Sequence, residues 1–309
     1  GRRGIEGGDR PTQNIQETVR MTTLQQRIQQ FYDASSSLWE DIWGEHMHHG
    51  YYGPDGSLVK ERRQAQIDLI DELLRWSQVD HAEAIVDVGC GIGGSTLYLA
   101  QQFGAQATGI TLSPVQAKRA QARSQQLQIP ATFQVADALA MPFDDGTFDL
   151  VWTLESGEHM PDKTQFLREC FRVLKPGGHL IMATWCHREA SDRPLTATEQ
   201  KLLDDIYRVY CLPYVISLHS YAAIADELGF VNIRTDDWSD AVAPFWNLVV
   251  QSALTPKAVI GLLRAGWTTI QAALSLRLMQ RGYRSGVVRF GLLYAQRSPD
   301  SIPSDASGA

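Results

Sequence analysis

The sequence predicts an α/β fold: a seven-stranded, mostly parallel sheet with helices on both faces and helical insertions late in the chain. Three observations carry this. Short apolar runs alternate with amphipathic stretches from residue 84 to residue 184, the pattern of parallel strands joined by crossover helices. The first of those runs, Ile85-Val86-Asp87-Val88, leads straight into a glycine-rich turn, Gly89-Cys90-Gly91-Ile92-Gly93-Gly94. After Thr184 the rhythm changes to longer helical segments before a last apolar run, Val287 to Gln296.

Taken in order, residues 1–20 are polar and glycine-rich and precede Met21; they read as a leader. Residues 21–48 read as helical and carry an aromatic cluster, Tyr32, Trp39 and Trp43. Glu61 to Trp76 is an amphipathic helix, with Ile67, Ile70 and Leu74 on one face. A helix from Ser95 follows the glycine turn, and Ser113-Pro114 caps the next. Ala107 to Ser113, Phe133 to Val135 and Phe148 to Trp152 read as the second, third and fourth strands. Lys175-Pro176-Gly177-Gly178 breaks a helix and launches a fifth, His179 to Thr184. Thr196 to Val209 is a helical insertion, followed by a helix from Tyr221 to Leu228 and a sixth strand near Asn232 to Asp237. A second helical insertion spans about 240–284. The expected organisation is therefore a leader (1–20), an N-terminal helical lid (21–80), a cofactor-binding core (81–188), the remainder of the core with helical lid insertions (189–285), a final sheet strand (286–297) and a loose tail (298–309).

Composition narrows the function. A net charge of −7 over 309 residues lacks the basic face of a nucleic-acid binder, so no nucleic-acid partner is expected. Cys90, Cys170, Cys186 and Cys211 show no paired spacing and read as reduced thiols. No run of about 18 apolar residues is present to span a membrane. Nothing in the sequence assigns an oligomeric state.

The glycine turn admits two cofactors. Gly89, Gly91 and Gly94 satisfy the dinucleotide fingerprint, whereas Gly89, Gly91 and Gly93 satisfy the G-x-G-x-G form usual for S-adenosylmethionine (SAM). A dinucleotide site wants an acid about 20 residues on, to hold the ribose hydroxyls. Thr111 stands there instead. Asp137, at the end of the third strand, is placed to reach an adenine amino group, which favours SAM.

The string WEDIWGEHMHHGYY at 39–52, with GITLSPVQ at 109–116, ESGEHMPDK at 155–163, TWCHR at 184–188 and VAPFW at 242–246, closely resembles the gamma-tocopherol methyltransferases. The likeness covers roughly Phe31 to Arg297, and some plant alkaloid N-methyltransferases look like members of the same branch. The resemblance implies a Rossmann-like class I methyltransferase with helical lid insertions and SAM as cofactor. It implies C-methylation of the chromanol ring of gamma- or delta-tocopherol, giving alpha- or beta-tocopherol. The alternatives are methylation of an indole-type alkaloid nitrogen or of a related prenylated benzoquinol. The expected partner is a small prenylated phenol, with peripheral membrane contact through Lys257, Arg264, Arg277, Arg281 and Arg284; a solvated charged face is the plainer reading of those cations. The expected location is the cytoplasm or the surface of a photosynthetic membrane, a plastid if the source is a plant.

Site residues follow. A phenol-bearing ring carbon becomes nucleophilic as its hydroxyl gives up proton density, so a general base is expected. His159 is the first choice, with Glu155 and Glu158 beside it to orient it; a loop-ordering histidine is the alternative. The cofactor set is Asp87, Gly89, Gly91, Gly93, Thr111, Leu112, Gln116, Asp137, Ala138 and Glu155. The acceptor set is Trp43, His48, His49, Cys186, His187, Phe245 and Trp246, with core packing as the alternative. Methyl transfer from SAM needs no metal, and Glu45, His46, His48 and His49 match no closed zinc spacing, so no metal is expected.

Overall fold

Alternate residues of the central strands face opposite ways, and each face finds its own helices. The computed structural model describes residues 24, 26–30, 33, 44–189, 191, 193–253 and 267–300. The expected leader, the aromatic cluster Tyr32, Trp39 and Trp43, the cations Lys257 and Arg264, and residues 301–309 of the tail lie outside them. The strands are β1 (Ala84–Val88), β2 (Gln106–Thr111), β3 (Ala131–Val135), β4 (Phe148–Leu154), β5 (Leu174–His187), β6 (Phe230–Asp237) and β7 (Val288–Arg297). They form one seven-stranded sheet in the order β3-β2-β1-β4-β5-β7-β6. The first five are parallel, and β7 runs antiparallel between β5 and β6. The strand order reverses at β1, which opens a crevice at the carboxyl ends of β1 and β4.

Ile85, Leu150, Trp152 and Ile181 join the apolar cluster on one face, and Val86, Val151, Leu180 and Met182 join the cluster on the other. The first face is closed by α1 (Arg62–Ser77), which buries Leu69, Ile70, Leu73 and Leu74. The crossovers are α2 (Gly94–Phe103), α3 (Pro114–Leu127) and α4 (Lys163–Val173). α3 begins as expected, with the Ser113 hydroxyl accepting from Gln116 N–H and Pro114 in the first turn. The insertions are α5 (Ala197–Val209), which opens with a Thr196–Glu199 capping box, then α6 (Leu218–Glu227), α7 (Ser239–Val242), α8 (Pro244–Ala253) and α9 (Trp267–Ser285). Arg277, Arg281 and Arg284 are exposed at helical spacing on α9.

Two local expectations need correction. Residues 24, 26–30 and 33 are helical, but the helix predicted over 21–48 does not reach 44–48, which run as an irregular strap. Gly44 there has φ +81°, and the backbone carbonyls of His46 and His48 take hydrogen bonds from Gln66 of α1 in place of helical ones. β5 also starts earlier than His179. Leu174 pairs with Phe148 and His179 with Leu150, so Lys175–Gly178 bulges out of the ladder, where Pro176 has no N–H to give.

Candidate active site

A cavity opens at the carboxyl ends of β1, β2, β3 and β4. It is lined by Asp87, Gly89, Gly91, Thr111, Leu112, Gln116, Asp137, Ala138, Glu155, Glu158 and His159, and by His48 from the strap. Eleven of the twelve expected catalytic and cofactor residues meet there, because each sits at or just after a strand end on the same edge of the sheet.

The glycine turn forms one wall. Gly89 has φ +84°, and a Cβ there would come within 2.3 Å of Ser156 Cβ. Ser156 cannot yield, since its hydroxyl donates to the Val88 carbonyl at 2.7 Å. Gly91 faces the cavity, and the nearest atom to a Cβ there is Met47 Sδ at 3.8 Å. Gly93 is different: it turns inward against Phe133 and Ala120, and Gly94 lines the cavity in its place. Behind the turn, Asp87 accepts from the Thr96 hydroxyl at 2.6 Å, which ties β1 to the first turn of α2. Burial pushes the Asp87 carboxyl up to about 7, against the pull of that hydrogen bond.

The opposite wall of this half comes from β2 and β3. The Thr111 hydroxyl donates to Gln116 Oε1 at 2.8 Å and accepts from Ser113 N–H at 3.2 Å, fixing both side chains at the rim. Asp137 Oδ1 accepts from Leu139 N–H at 2.9 Å. Ile28 and Gln29 close over this side, and the Ser113 hydroxyl bonds the Asp33 carboxylate. A bare backbone surface at Gly91 and an acid at the end of β3 fit an adenosine-bearing sulfonium: the first admits close approach, the second an amino group.

The other half centres on Glu155, the residue after β4, held at φ +54° with its N–H on the Ala183 carbonyl at 2.7 Å. Its Oε1 accepts from His49 N–H at 2.6 Å. Its Oε2 takes His49 Nδ1–H at 2.7 Å and the Trp185 indole N–H at 3.1 Å. The His49 ring is fully buried and packed by Trp185, Phe245, Trp246, Tyr283 and Phe290. Glu155 thus clamps the strap to β5.

Gly157–His159 forms a single 3₁₀ turn beyond Glu155. Lys163, buried, donates to the carbonyls of Gly157 (2.9 Å), Glu158 (3.0 Å) and Met160 (2.7 Å) and holds the turn closed. Burial brings its ammonium down to about 7. Glu158 Oε2 accepts from the Thr184 hydroxyl at 2.7 Å; burial first, then the charge of Glu155, pushes its carboxyl up to about 8. Burial, reinforced by Lys163, holds the His159 imidazole down to about 3. The carboxylates expected to orient His159 are engaged elsewhere, Glu155 with His49 and Trp185, and Glu158 with Thr184.

The acceptor set divides. Trp43 lies outside the described residues, and His48 lines the cavity. His49, Phe245 and Trp246 stand behind the wall, each fully buried. Cys186 faces the opposite side of the sheet, against Leu218 and Gly291, and His187 lines a separate cleft with Arg188, Asp237 and Arg289. The missed residue is the one between: Trp185 faces the cavity, and Tyr210, Met47 and Met160 join it. Strand alternation along β5 was the available signal, since Ile181, Ala183 and Trp185 share a face. Tyr210 had no local signal. Among the described residues no group of three or more His, Cys, Asp or Glu is spaced to hold a metal ion.

The comparisons agree with this geometry. The methyltransferase domain family matches residues 86–182, which run from β1 into β5. A chloroplastic tocopherol O-methyltransferase of Arabidopsis thaliana is 49% identical over 287 residues, covering 89% of this chain and 82% of that protein. Norajmaline N-methyltransferase of Rauvolfia serpentina is 35% identical, covering 90% of this chain and 100% of that one. Among solved structures, geranyl diphosphate C-methyltransferase from Streptomyces coelicolor A3(2), holding S-adenosyl-L-homocysteine, aligns with a TM-score of 0.72 at 22% identity over 89% of this chain and 98% of that one, which shows the fold. A glycine-rich turn at the sheet's switch point, on a seven-stranded sheet with one antiparallel strand, and half-identity along most of the chain lead to one conclusion: the chain belongs to the tocopherol methyltransferase family of SAM-dependent methyltransferases.

Proposed function

We propose that this enzyme methylates the ring carbon beside the phenolic hydroxyl of a prenyl-tailed chromanol, converting gamma- to alpha-tocopherol and delta- to beta-tocopherol. The observation that carries the tocopherol acceptor is the identity of 49% with a tocopherol O-methyltransferase, against 35% with an alkaloid N-methyltransferase over a similar span; the choice of ring carbon over oxygen rests on the chemistry of the activated phenol. The cavity is consistent with it: beyond the glycine turn the lining becomes apolar and aromatic, with Met47, Met160, Trp185 and Tyr210, and two imidazoles, His48 and His159. SAM, when bound, supplies a methyl group on a positively charged sulfur.

The residues divide the work. Thr111, Leu112, Gln116, Asp137 and Ala138 hold the adenosine end, and the Gly89–Gly91 backbone, steadied from behind by Asp87, holds the methionine end. Glu155 braces the boundary between donor and acceptor. Trp185, Tyr210 and Met160 exclude water and orient the ring, so that the reacting carbon sits about 3–3.5 Å from the methyl. Phenol ionises near pH 10 and an ordinary imidazole near 6.5. Full proton transfer before methyl transfer is therefore uphill, and more so for an imidazole pushed down by burial. A neutral histidine instead accepts a hydrogen bond that strengthens as the methyl moves. His48 and His159 are both held neutral by burial and both line this side of the cavity.

The site of action is a plastid or other photosynthetic membrane surface. Arg277, Arg281 and Arg284, exposed on one stretch of α9, suit an anionic headgroup surface. No helix among the described residues is long and apolar enough to cross a membrane. Gamma-tocopherol, delta-tocopherol and an indole alkaloid, each offered with labelled SAM, separate the readings. Carbon methylation removes a ring proton and leaves the hydroxyl free in the product's NMR spectrum. A methyl ether, or transfer to the alkaloid alone, overturns the proposal.

A further inference from the structure

We propose that His48 Nε2 is the atom that accepts the acceptor's hydroxyl proton, making His48, rather than His159, the general base. The inference rests on the chromanol reading above. His48 lines the same cavity as the glycine turn, Trp185 and His159. Its Nδ1 lies 2.8 Å from the carbonyl oxygen of His49. A carbonyl only accepts, so Nδ1 carries the hydrogen, and in the neutral ring the Nε2 lone pair is left open. That Nε2 is buried and makes no hydrogen bond within the described structure. His46 Nδ1 and His49 Nε2 are buried without a bond as well, but neither of those rings lines the cavity; an unsatisfied acceptor on a cavity-lining ring is one that a ligand can satisfy. An acceptor hydroxyl in the cavity satisfies it.

The surroundings hold this tautomer. The His48 carbonyl takes the Gln66 amide at 2.9 Å, and His49 is held on Glu155 through both its N–H (2.6 Å) and its Nδ1 (2.7 Å), which steadies the residue whose carbonyl orients the His48 ring. The His46 ring stands edge-on at 5.3 Å. Burial, and then His46, keep the His48 imidazole well below its ordinary range, so it meets the substrate neutral. This also gives the Glu155–His49 pair a purpose: it positions the strap, and through it the base.

The step balances. As the new carbon–carbon bond forms and the carbon–sulfur bond breaks with its electrons left on sulfur, the O–H bond breaks and its proton passes to Nε2. The ring becomes a neutral dienone. The tetrahedral carbon then releases its proton to water, the oxygen takes back the proton from Nε2, and the phenol and the neutral imidazole are restored. One proton leaves per methyl transferred.

The test uses the full chain. Glutamine and asparagine at this position, as His48→Gln and His48→Asn, keep polarity without basicity. Turnover of gamma-tocopherol is expected to fall about 10²- to 10⁴-fold, with S-adenosylhomocysteine affinity within about threefold by calorimetry. The variants' kcat should then rise roughly tenfold per pH unit from 7 to 9, because only pre-ionised phenol reacts. Glu45, Asp87, Cys90, Asp137, Glu155, Glu158, His159 and Tyr210 also face the cavity, and His46 and His49 stand beside the ring; the same profile taken on His159→Gln separates the contribution of the second imidazole, and wild-type enzyme, which keeps every other group, is the reference for the rest. Nitrogen-15 NMR of the wild-type histidines reads the tautomer without any variant. An Nδ1–H His48, whose Nε2 resonance moves when gamma-tocopherol joins the S-adenosylhomocysteine complex, supports the assignment. An Nε2–H tautomer overturns it, as does His48→Gln turnover within about threefold of wild type, or a loss that merely tracks lost S-adenosylhomocysteine affinity. If wild-type enzyme methylates an alkaloid and no tocopherol, the chromanol reading fails while the tautomer measurement still decides the state of His48.

Discussion

The two halves of the cavity are built in opposite ways. The half proposed to hold the donor is made of strand ends and the turns that follow them: Asp87 and the glycines after β1, Thr111 and Leu112 at β2, Asp137 and Ala138 beyond β3. Each is placed by backbone it shares with its neighbours. The half proposed to hold the acceptor is made by distant segments that meet: Met47 and His48 of the strap, the turn at 155–160, Trp185 on β5 and Tyr210 after α5. Its keystone contact, His49 on Glu155, joins residues 106 apart. The difference teaches where variation is tolerated. A donor site built on backbone resists side-chain drift, whereas an acceptor wall held by side-chain pairs can be re-tuned by changing one pair. An enzyme branch that shares one donor and differs in acceptor fits this division.

Breaking the acceptor half should have the largest effect. Glu155→Ala strands a buried His49 N–H, the His49 ring and the Trp185 indole, and is expected to cost about 3–5 kcal/mol of stability, read by urea unfolding. A loss under about 1 kcal/mol would mean that the clamp is ornamental. Next is Lys163→Met, which leaves three carbonyls of the 157–160 turn without their donor. We expect about 2–3 kcal/mol, with turnover falling more than S-adenosylhomocysteine affinity. The donor half should respond in the other order. Gly91→Ala places a Cβ at φ +53°, strain of about 1–2 kcal/mol, and should weaken S-adenosylhomocysteine binding with little change in the unfolding midpoint beyond that strain. An affinity equal to wild type would remove Gly91 from the donor wall.

The last effect is one of pH. Asp87 ionises near 7 in the folded protein and near 3.8 when unfolded. Between those values the folded state holds the extra proton, so its contribution is full below about 3.8 and is lost as pH rises through 7. Asp87→Asn mimics the protonated carboxyl and should shed that slope. Its stability relative to wild type is expected to improve between pH 4 and pH 8, and parallel curves would contradict the buried acid.

Much of the fold was legible from local signals. The alternation of apolar runs, the Ser113-Pro114 start of α3 and the helix from Thr196 to Val209 are decided within a few residues, and each appears where the pattern places it. The strap was read as the end of a helix over 21–48, yet Gln66 of α1 takes its carbonyls, and Gln66 lies about 20 residues away in sequence. On β5 the choice of Cys186 over Trp185 was an error of one residue, and period-two geometry turns one residue into the opposite face of the sheet. Phe245 and Trp246 carry the acceptor-like chemistry expected of them but spend it on His49, behind the cavity.

Amino-acid order alone set the strands, the caps, the glycine turn and the donor chemistry, because propensity, periodicity and backbone freedom act over one turn or one pleat. Folding in three dimensions assigned the partners of Glu155, the tautomer of His48 and the side of the sheet on which each acceptor residue lies. Those depend on burial and on hydrogen bonds between segments that come together once the core has formed, and no short window of sequence contains both ends of such a bond.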